Sequence, residues 1–371
     1  MAAANYEQAL IALHSVCYRL GSVRLKALIE YFNGEPEQAW EHPELWPQAV
    51  QISPQLRIEL LRLRRDTDSA RLYSRYLESG LRIVTPEDAA YPRLLTDIYD
   101  APPLLFYRGT LPQADELCLA MVGSRNYSAY GRQAAELLAR DLAQAGFSVV
   151  SGMARGIDSF CHDAALKAGG RTYAVLGCGA DVIYPQENAK LYQAICENGA
   201  VISELPMGTA ALPQHFPLRN RIISGMSRGL VVVEAGEKSG TLRTVDYALE
   251  QGRDVFAVPG PITSPGSRGT NRLIKNGAHL VATADDVWPV YMDERKPAPE
   301  TPAAQAAPKS NLKPEEQKLL SKMVLPLHFD VLLAESGLTA AQLSATLTVW
   351  EIRGLVKALP GRYFQAVINK L

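Results

Sequence analysis

The sequence predicts an α/β protein built on a mostly parallel sheet, with a small helical region before it and a small winged-helix module after it. Between residues 81 and 293, short apolar runs bounded by glycine alternate with helical segments, as is typical of a parallel sheet covered by helices on both faces. Residues 1–80 carry apolar side chains at helical spacing, which predicts short packed helices. Residues 312–371 follow a Pro- and Ala-rich segment.

The bulk composition is that of a globular protein with almost no net charge. The chain has 371 residues, with 38 basic against 39 acidic side chains and a net charge of -1. This length exceeds what one ordinary core supports, so two or three domains are expected. A chain of this charge can bind nucleic acid only where its positive potential is local.

Several classes of site and location are disfavoured by the sequence. The five cysteines are scattered and form no C-x-x-C pair, and the six histidines do not pair at ligand spacing. These patterns argue against a disulfide framework and a metal site, and they fit a reducing compartment. A Walker-type phosphate loop, a signal-peptide layout and a long apolar run are also missing. We therefore expect a cytoplasmic protein with no metal, no cofactor, no ATP hydrolysis and no membrane segment.

Residues 1–80 are predicted to form the first domain. Gly21-Ser22 separates its first two helices and Asn33-Gly34 ends the second. A further helix is predicted over Arg57–Arg75, where six arginines form either a phosphate-binding face or, as we favour, a solvated face balanced by acidic residues. The turn at Leu20–Val23 is similar to a helix-hairpin-helix contact with DNA. It lacks the second glycine of that motif, which favours a plain helical turn.

Residues 81–293 are predicted to form the sheet domain. The predicted strands are Leu81–Val84, Leu104–Tyr107, Leu117–Gly123, Phe147–Gly152, Arg171–Gly177, Ala200–Glu204, Gly229–Glu234, Asp254–Val258 and His279–Ala282. Helices such as Tyr130–Ala145 and Thr241–Gln251 lie between them.

Residues 294–311 are predicted to be a disordered linker, and residues 312–371 a winged-helix domain. Two helices, Phe329–Glu335 and Thr339–Glu351, flank a Ser336-Gly337 turn, and a hairpin with strands Gly354–Ala358 and Tyr363–Val367 follows. The second helix contains no Lys or Arg. Because phosphate neutralisation dominates affinity for duplex DNA, we favour an auxiliary or protein-contact role for this domain.

The most informative residues follow the predicted strands, where ligands bind in open parallel sheets. The first central strand leads into Gly123, Ser124 and Arg125, and Ser128 precedes the next helix. Glycine allows backbone N–H groups to approach a phosphate, and arginine can hold it in a bidentate grip. Alone, this loop is equally compatible with a tight turn.

The next strand ends in a second loop of small residues around an arginine. It contains Gly152, Arg155, Gly156 and Asp158, and we predict that Arg155, like Arg125, binds phosphate directly. Asp158 either interacts with the dipole of its own helix or orients Arg155 or Arg125. His162 lies one turn further on, and we interpret it as a structural histidine because no nucleophile is evident beside it.

Two further helix starts carry polar residues suited to a phosphate or a base. The first contains Phe216, Arg219, Asn220 and Arg221. The two arginine side chains diverge on a helix, so we expect only one to face the groove, and Phe216 is either an aromatic partner or a core residue. The second contains Ser239, Gly240 and Thr241, with Ser239 as the expected N-cap of an anion-binding turn.

Together these loops resemble the DNA-processing protein A family (DprA, also called Smf) over about residues 82–290. The motifs that carry the resemblance lie at residues 123–125, 151–158, 184–185, 216–221, 239–241, 252–253 and 258–260. The resemblance implies an extended Rossmann-like domain, preceded by a SAM/helix-hairpin-helix-like domain. It further implies that the groove binds single-stranded DNA, that the protein forms a homodimer, and that it protects incoming DNA and helps to load the RecA recombinase during natural transformation.

The chain departs from the family pattern at three positions. Gln186 stands where relatives often have a lysine after the Tyr-Pro pair, Thr241 replaces a serine, and Cys161 replaces an alanine. The missing lysine removes a positive charge, whereas Thr241 keeps a hydroxyl group. We interpret Cys161 as a small packed residue.

An enzyme is the alternative interpretation. The sheet and the turn at residues 239–241 are also similar to lysine-decarboxylase-like nucleotide phosphoribohydrolases, which place a catalytic glutamate shortly after Gly-Thr. Here Leu242, Arg243 and Thr244 follow, and the next carboxylates are Asp246 and Glu250. Since a carboxylate must lie near the bond that reacts, we expect a binding protein with no catalytic residue.

Overall fold

The computed structural model describes residues 2–291, 319–320, 322–323, 327–352, 355–359 and 362–366. The chain forms two compact units, Met1–Arg295 and Lys296–Leu371. The boundary predicted at residue 80 is therefore a change of secondary structure within one compact unit. The predicted linker at residues 294–311 lies outside the described residues.

The first part of the larger unit is helical. Its helices are α1 (Ala2–Cys17), α2 (Ser22–Tyr31), α3 (Pro36–Glu41), α4 (Trp46–Ala49), α5 (Pro54–Asp66) and α6 (Ser69–Ser79). The single helix predicted over residues 57–75 is wrong, because the chain breaks at Thr67-Asp68 and the Asp68 carboxylate caps α6 by accepting the Arg71 N–H at 3.0 Å.

Aromatic packing joins these helices to the sheet region. The Tyr76 ring on α6 stacks on Phe106 with a centroid distance of 5.0 Å, and His14 on α1 meets the same ring edge-on at 5.3 Å. The Tyr76 hydroxyl also accepts a hydrogen bond from the Met207 N–H at 2.7 Å. All three rings are buried, so the helical region and the sheet share apolar packing.

Within the described residues, nine strands form one sheet, and all nine predicted strands are present. They are β1 (Arg82–Val84), β2 (Leu105–Gly109), β3 (Cys118–Val122), β4 (Ser148–Ser151), β5 (Thr172–Val175), β6 (Gly199–Ser203), β7 (Gly229–Val232), β8 (Asp254–Ala257) and β9 (His279–Leu280). The spatial order is β1-β2-β6-β5-β4-β3-β7-β8-β9. β2 is antiparallel to both of its neighbours, and every other pair is parallel.

Helices cover both faces of this sheet. They are α7 (Arg93–Thr96), α8 (Ala129–Gln144), α9 (Ile157–Lys167), α10 (Ala189–Asn198), α11 (His215–Gly225), α12 (Leu242–Glu250) and α13 (Arg268–Lys275). β3 shows how one strand serves two cores. Leu119 and Met121 pack with α8 and α9, whereas Ala120 and Val122 pack with α11 and α12, because successive side chains of a strand point to opposite faces.

The smaller unit contains the predicted winged-helix elements. They are β10 (Leu327–His328), α14 (Phe329–Ser336), α15 (Ala340–Ile352), β11 (Val356–Leu359) and β12 (Tyr363–Ala366). The three strands form an antiparallel sheet in the order β10-β12-β11. Gly337, with φ at 65°, ends α14 in the left-handed conformation that the predicted turn requires.

Candidate nucleic-acid interface

A crevice opens at the carboxyl end of β3, where the strand order reverses. From β3 the chain builds β4, β5 and β6 on one side and then returns to place β7 on the other. Loops on the two sides of such a point diverge and leave a ligand-sized gap. The gap here has a volume of about 560 Å³, and loops that follow β3, β4, β5, β6 and β7 all contribute to its wall.

The loop after β3 lies in this crevice as predicted. Gly123, Ser124 and Arg125 all line it. The Ser124 hydroxyl accepts the Asn126 N–H at 3.1 Å and donates to the Asn126 carbonyl at 2.8 Å. Ser124 therefore stabilises its own turn. Arg125 is exposed, and its guanidinium carbon lies 5.1 Å from the centroid of the Phe216 ring, within the range of a cation–π contact.

A buried glutamate fixes the direction of this loop. Glu234 follows β7 and is 4% exposed, and its carboxylate accepts the Ser128 N–H at 2.9 Å while its carbonyl accepts the Ser124 N–H at 2.8 Å. Ser128 caps α8 through the Gly131 N–H, and it does not line the crevice. A side chain at Gly131 would collide with the Glu234 carboxylate. Sequence reasoning assigned Glu234 no role, because its partners lie more than 100 positions away.

Asp158 and Arg219 lie close enough to interact electrostatically, and both residues line the crevice. They are 7% and 6% exposed. Arg219 donates to the Gly152 carbonyl at 2.9 Å and also to the Val175 carbonyl. A Cβ at Gly152 would meet both charged groups, so glycine is required there to leave room for them. Asp158 thus interacts most strongly with Arg219, which was not among its expected partners, and also with Arg125, which was.

The pKa values of this pair reflect its burial. Desolvation lowers the pKa of Arg219 to about 10, against the opposing charge of Asp158. Desolvation also raises the pKa of Asp158, and the charge of Arg219 opposes that shift. Arg219 remains protonated at neutral pH, since its pKa stays well above 7. The floor of the crevice therefore holds a buried positive charge with a carboxyl group close to it.

Arg155 and Gly156 do not line the crevice. Arg155 is exposed and forms an ion pair with Glu187, with Nη2 3.1 Å from Oε2. Glu187 lies just beyond the Tyr184-Pro185 pair, and both partners of this ion pair are exposed. Because an exposed ion pair is weak, Arg155 stays a predicted phosphate ligand. Gly156 has φ at 86°, and a side chain there would collide with the Ser124 carbonyl. Gly156 therefore allows the loops after β3 and β4 to pack closely against each other.

The two arginines of α11 face different ways, as expected from their spacing. Phe216, Arg219 and Asn220 line the crevice. The prediction that Arg221 faces the same crevice as Arg219 and Asn220 is corrected by the structure, because Arg221 does not line it. Arg221 is 5% exposed, and its guanidinium pairs with Glu204 at 2.7 Å and Asp100 at 2.9 Å. Residues two apart on a helix point roughly 200° apart, which sends Arg221 toward the helical region.

Ser239, Gly240 and Thr241 line the crevice, but the predicted cap is wrong by two residues. Thr241 occupies the N-cap position of α12. The Ser239 hydroxyl donates to Thr241 Oγ1 at 2.9 Å and accepts the Thr241 N–H at 3.2 Å. The Leu242 and Arg243 N–H groups turn back to the Ser239 and Gly240 carbonyls. The turn therefore presents hydroxyl groups to the crevice, while several of its N–H groups are engaged internally.

The two neighbouring residues of α9 that we interpreted as structural are buried. His162 and Cys161 are both 0% exposed. His162 Nδ1 lies 2.6 Å from the Thr172 hydroxyl, and burial, together with the nearby Arg219, lowers the pKa of His162 to about 3. The imidazole is therefore neutral and packed. No helix in the described ranges combines the length and the apolar composition needed to cross a membrane.

The fold and the crevice define an open α/β protein with a binding edge suited to phosphate and aromatic groups, joined to a winged-helix module. The sequence matches the family model described as DNA recombination-mediator protein A over residues 82–291, and that of the DprA winged helix domain over residues 300–362. Protein Smf of Synechocystis is 32% identical over 396 residues, spanning 98% of this chain and 99% of that protein. The chain belongs to the DprA/Smf family of DNA recombination-mediator proteins.

Two solved structures share this architecture. The X-ray structure of DNA processing protein A from Streptococcus pneumoniae has a TM-score of 0.66 at 36% identity, covering 77% of this chain and 97% of that one. The Helicobacter pylori protein has a TM-score of 0.52 at 27% identity, covering 59% and 99%. The latter structure was described for its unique single-stranded DNA binding mode.

Replacing Arg219 should destabilise the fold, whereas replacing Arg125 should not. Arg219→Met removes the hydrogen bonds to the buried Gly152 and Val175 carbonyls and the main opposing charge near Asp158, a loss that costs about 1–3 kcal/mol. We expect a lower urea midpoint for Arg219→Met and an unchanged midpoint for the matched, exposed Arg125→Met. Adding Asp158→Asn to Arg219→Met should recover part of the loss. An Arg219→Met protein that unfolds at the native urea concentration would contradict this account.

Proposed function

We propose that this chain is a single-stranded DNA-binding protein that acts in DNA uptake and recombination. The observation that carries the proposal is the contact between Arg125 and Phe216 at the crevice. Arg125 offers an exposed guanidinium for phosphate, and the half-buried Phe216 ring beside it offers a surface for a base. The single-stranded DNA binding described for the H. pylori relative supports the same ligand.

The charge of the crevice favours a strand with accessible bases. The charged residues in its lining are Arg125, Arg219 and Asp158. Arg219 and Asp158 are buried, so Arg125 is the exposed charge among these three. Electrostatic attraction from so few charges is modest, so base contacts with Phe216 and Asn220 have to contribute to affinity. Paired bases stacked inside a duplex do not offer those faces.

The family resemblance supports a finer role as well. We propose that the bound strand is protected and that the protein helps to load RecA onto it in the cytoplasm. The test is the rate of RecA filament formation on single-stranded DNA covered by a single-strand-binding protein. We expect this chain to increase that rate, and an unchanged rate would remove the loading role.

We further propose that the crevice binds without breaking bonds. Its lining contains one carboxylate, Asp158, which is buried against Arg219. A carboxylate held in this way is a poor acid or base for substrate chemistry. Incubation with nucleoside monophosphates should therefore release no free base. Release of base at a rate proportional to protein concentration would favour the nucleotide phosphoribohydrolase alternative.

A second surface supports the proposed homodimer. A depression of about 570 Å³ lies between α12 and α13, and Leu242, Leu249 and Leu273 line it. Leu249 is 62% exposed, and exposed apolar residues around a depression mark protein contacts. We expect Leu249→Glu to halve the mass measured by light scattering. The matched variant Leu137→Glu, at an exposed leucine on α8, should leave the mass unchanged.

Arg125 is the residue whose loss should weaken DNA binding most directly. A charge-assisted hydrogen bond contributes about 1.5–3 kcal/mol, so Arg125→Ala should weaken binding to oligothymidine about tenfold or more. The slope of log affinity against log salt should fall by about 0.7, since one phosphate contact is lost. Arg125→Lys should recover only part of the affinity, because the planar fork is absent.

The matched control is Arg140→Ala, which removes an exposed arginine of α8 that does not line the crevice. Its affinity and salt slope should equal those of the native protein. If Arg125→Ala also keeps both values, the crevice is not the DNA site.

A further inference from the structure

A second cavity lies on the other side of α11 from the crevice. It has a volume of about 620 Å³ and is bordered by the α1–α2 turn, with Gly21 and Ser22, and by His215, Leu218 and Ile222 of α11. This size falls within the roughly 300–1,000 Å³ of small-ligand pockets. Leu20, Leu25, Leu176 and Leu205 give it an apolar wall. The residues of this cavity come from both the helical region and the sheet region.

Three buried polar atoms in the cavity wall have no hydrogen-bond partner within the described part of the chain. They are His14 Nδ1, His215 Nδ1 and Arg221 Nη1. His14 and Arg221 are 1% and 5% exposed. Such atoms are costly to bury unless a ligand or water completes them. The other Arg221 nitrogens pair with Glu204 and Asp100, so the charge of Arg221 is already balanced. This part of the wall therefore suits an uncharged part of a ligand that has a polar edge.

A phosphate-suited feature lies at the edge of the same cavity. Gly21 has φ at 78° and precedes α2, in which the Leu25 N–H donates to the Gly21 carbonyl at 3.0 Å. The preceding N–H groups of Ser22, Val23 and Arg24 lie in the first helical turn, which favours an anion. Arg24 is exposed and also borders the cavity. Apolar walls, a polar edge and a phosphate position together match a nucleotide.

The second cavity and the proposed DNA site share one wall element, the helix α11. Arg219 borders both cavities. On α11, Phe216 and Asn220 face the crevice, while His215 and Leu218 face the second cavity. Leu218 is 58% exposed, so the surface between the two cavities is open to a passing strand.

We infer that the cavity between the α1–α2 turn and α11 is a second nucleotide subsite for the same DNA strand. A base lies against the apolar wall with its polar edge toward Arg221 Nη1 and His14, and a phosphate lies at the start of α2 beside Arg24. This subsite rests on the proposed single-stranded DNA function and extends it, because it makes affinity depend on strand length. It also assigns a phosphate to the turn at Gly21, before α2.

The test is the affinity of oligothymidines of increasing length for full-length variants. Arg24→Glu should bind the shortest strands as the native protein does and should lose the gain in affinity that longer strands show, by roughly three- to tenfold. Arg71→Glu, at an exposed arginine of α6 that borders neither cavity, makes the same charge change and should keep the full gain. Val23→Trp, at a cavity-edge residue that is 41% exposed, should lose the gain by obstruction without a charge change.

Equal gains with length in the Arg24→Glu, Val23→Trp and Arg71→Glu variants would overturn the second subsite. Equal losses in Arg24→Glu and Arg71→Glu, with none in Val23→Trp, would also overturn it, because they would show a general effect of charge. Failure of the proposed function gives a different result, since Arg125→Ala would then leave the affinity for the shortest strands unchanged.

Discussion

The buried guanidinium of Arg219 makes the hydrogen bonds on which the crevice depends. Arg219 reaches from α11 to the carbonyls of Gly152 and Val175, at the carboxyl ends of β4 and β5, and interacts electrostatically with Asp158 at the start of α9. One guanidinium thereby fixes a helix on one face of the sheet to loops that serve the other face. Burying such a charge is stabilising only when its partners are all in place. The floor of the crevice therefore has little freedom to move.

The mouth of the crevice differs from its floor, because its charged side chain is exposed. Arg125 is exposed and touches the face of Phe216, and Tyr184 lies against the same ring at a centroid distance of 5.5 Å. A surface cation held by an aromatic ring is oriented without being desolvated. It can exchange the ring for a phosphate at low cost. The rigid floor and the adaptable mouth together suit a ligand that varies in sequence but repeats its phosphates.

The sequence was sufficient to predict features that arise from local patterns. The nine strands, the turn at Gly337 and the position of the crevice follow from alternation, glycine placement and the geometry of parallel sheets. The divergence of Arg219 and Arg221 also follows from helical spacing. Which of the two faces the crevice depends on how α11 packs, and this is set by contacts with Glu204 and Asp100. Those partners could not be read from the α11 sequence.

Non-local pairing also accounts for the other corrections. Asp158 lies three residues from Arg155 in the chain, but it interacts most strongly with Arg219, 61 positions away. Arg155 itself pairs with Glu187. A predicted phosphate ligand can thus be paired with a carboxylate from the next loop, and no local pattern shows it. Gln186, just before Glu187, is uncharged and does not offset that carboxylate.

These pairings give a physical reason for extending the binding surface beyond one crevice. With Arg155 paired to Glu187 and Arg219 buried near Asp158, Arg125 is the exposed cation of the crevice wall. A single phosphate contact supplies only a small part of the affinity that a DNA-binding protein needs. Contacts must then be added along the strand, since linked weak contacts strengthen one another through their high effective concentration. A strand that crosses α11 would reach the edge of the second cavity at Arg24. An affinity that rises with strand length would distinguish two linked contacts from one.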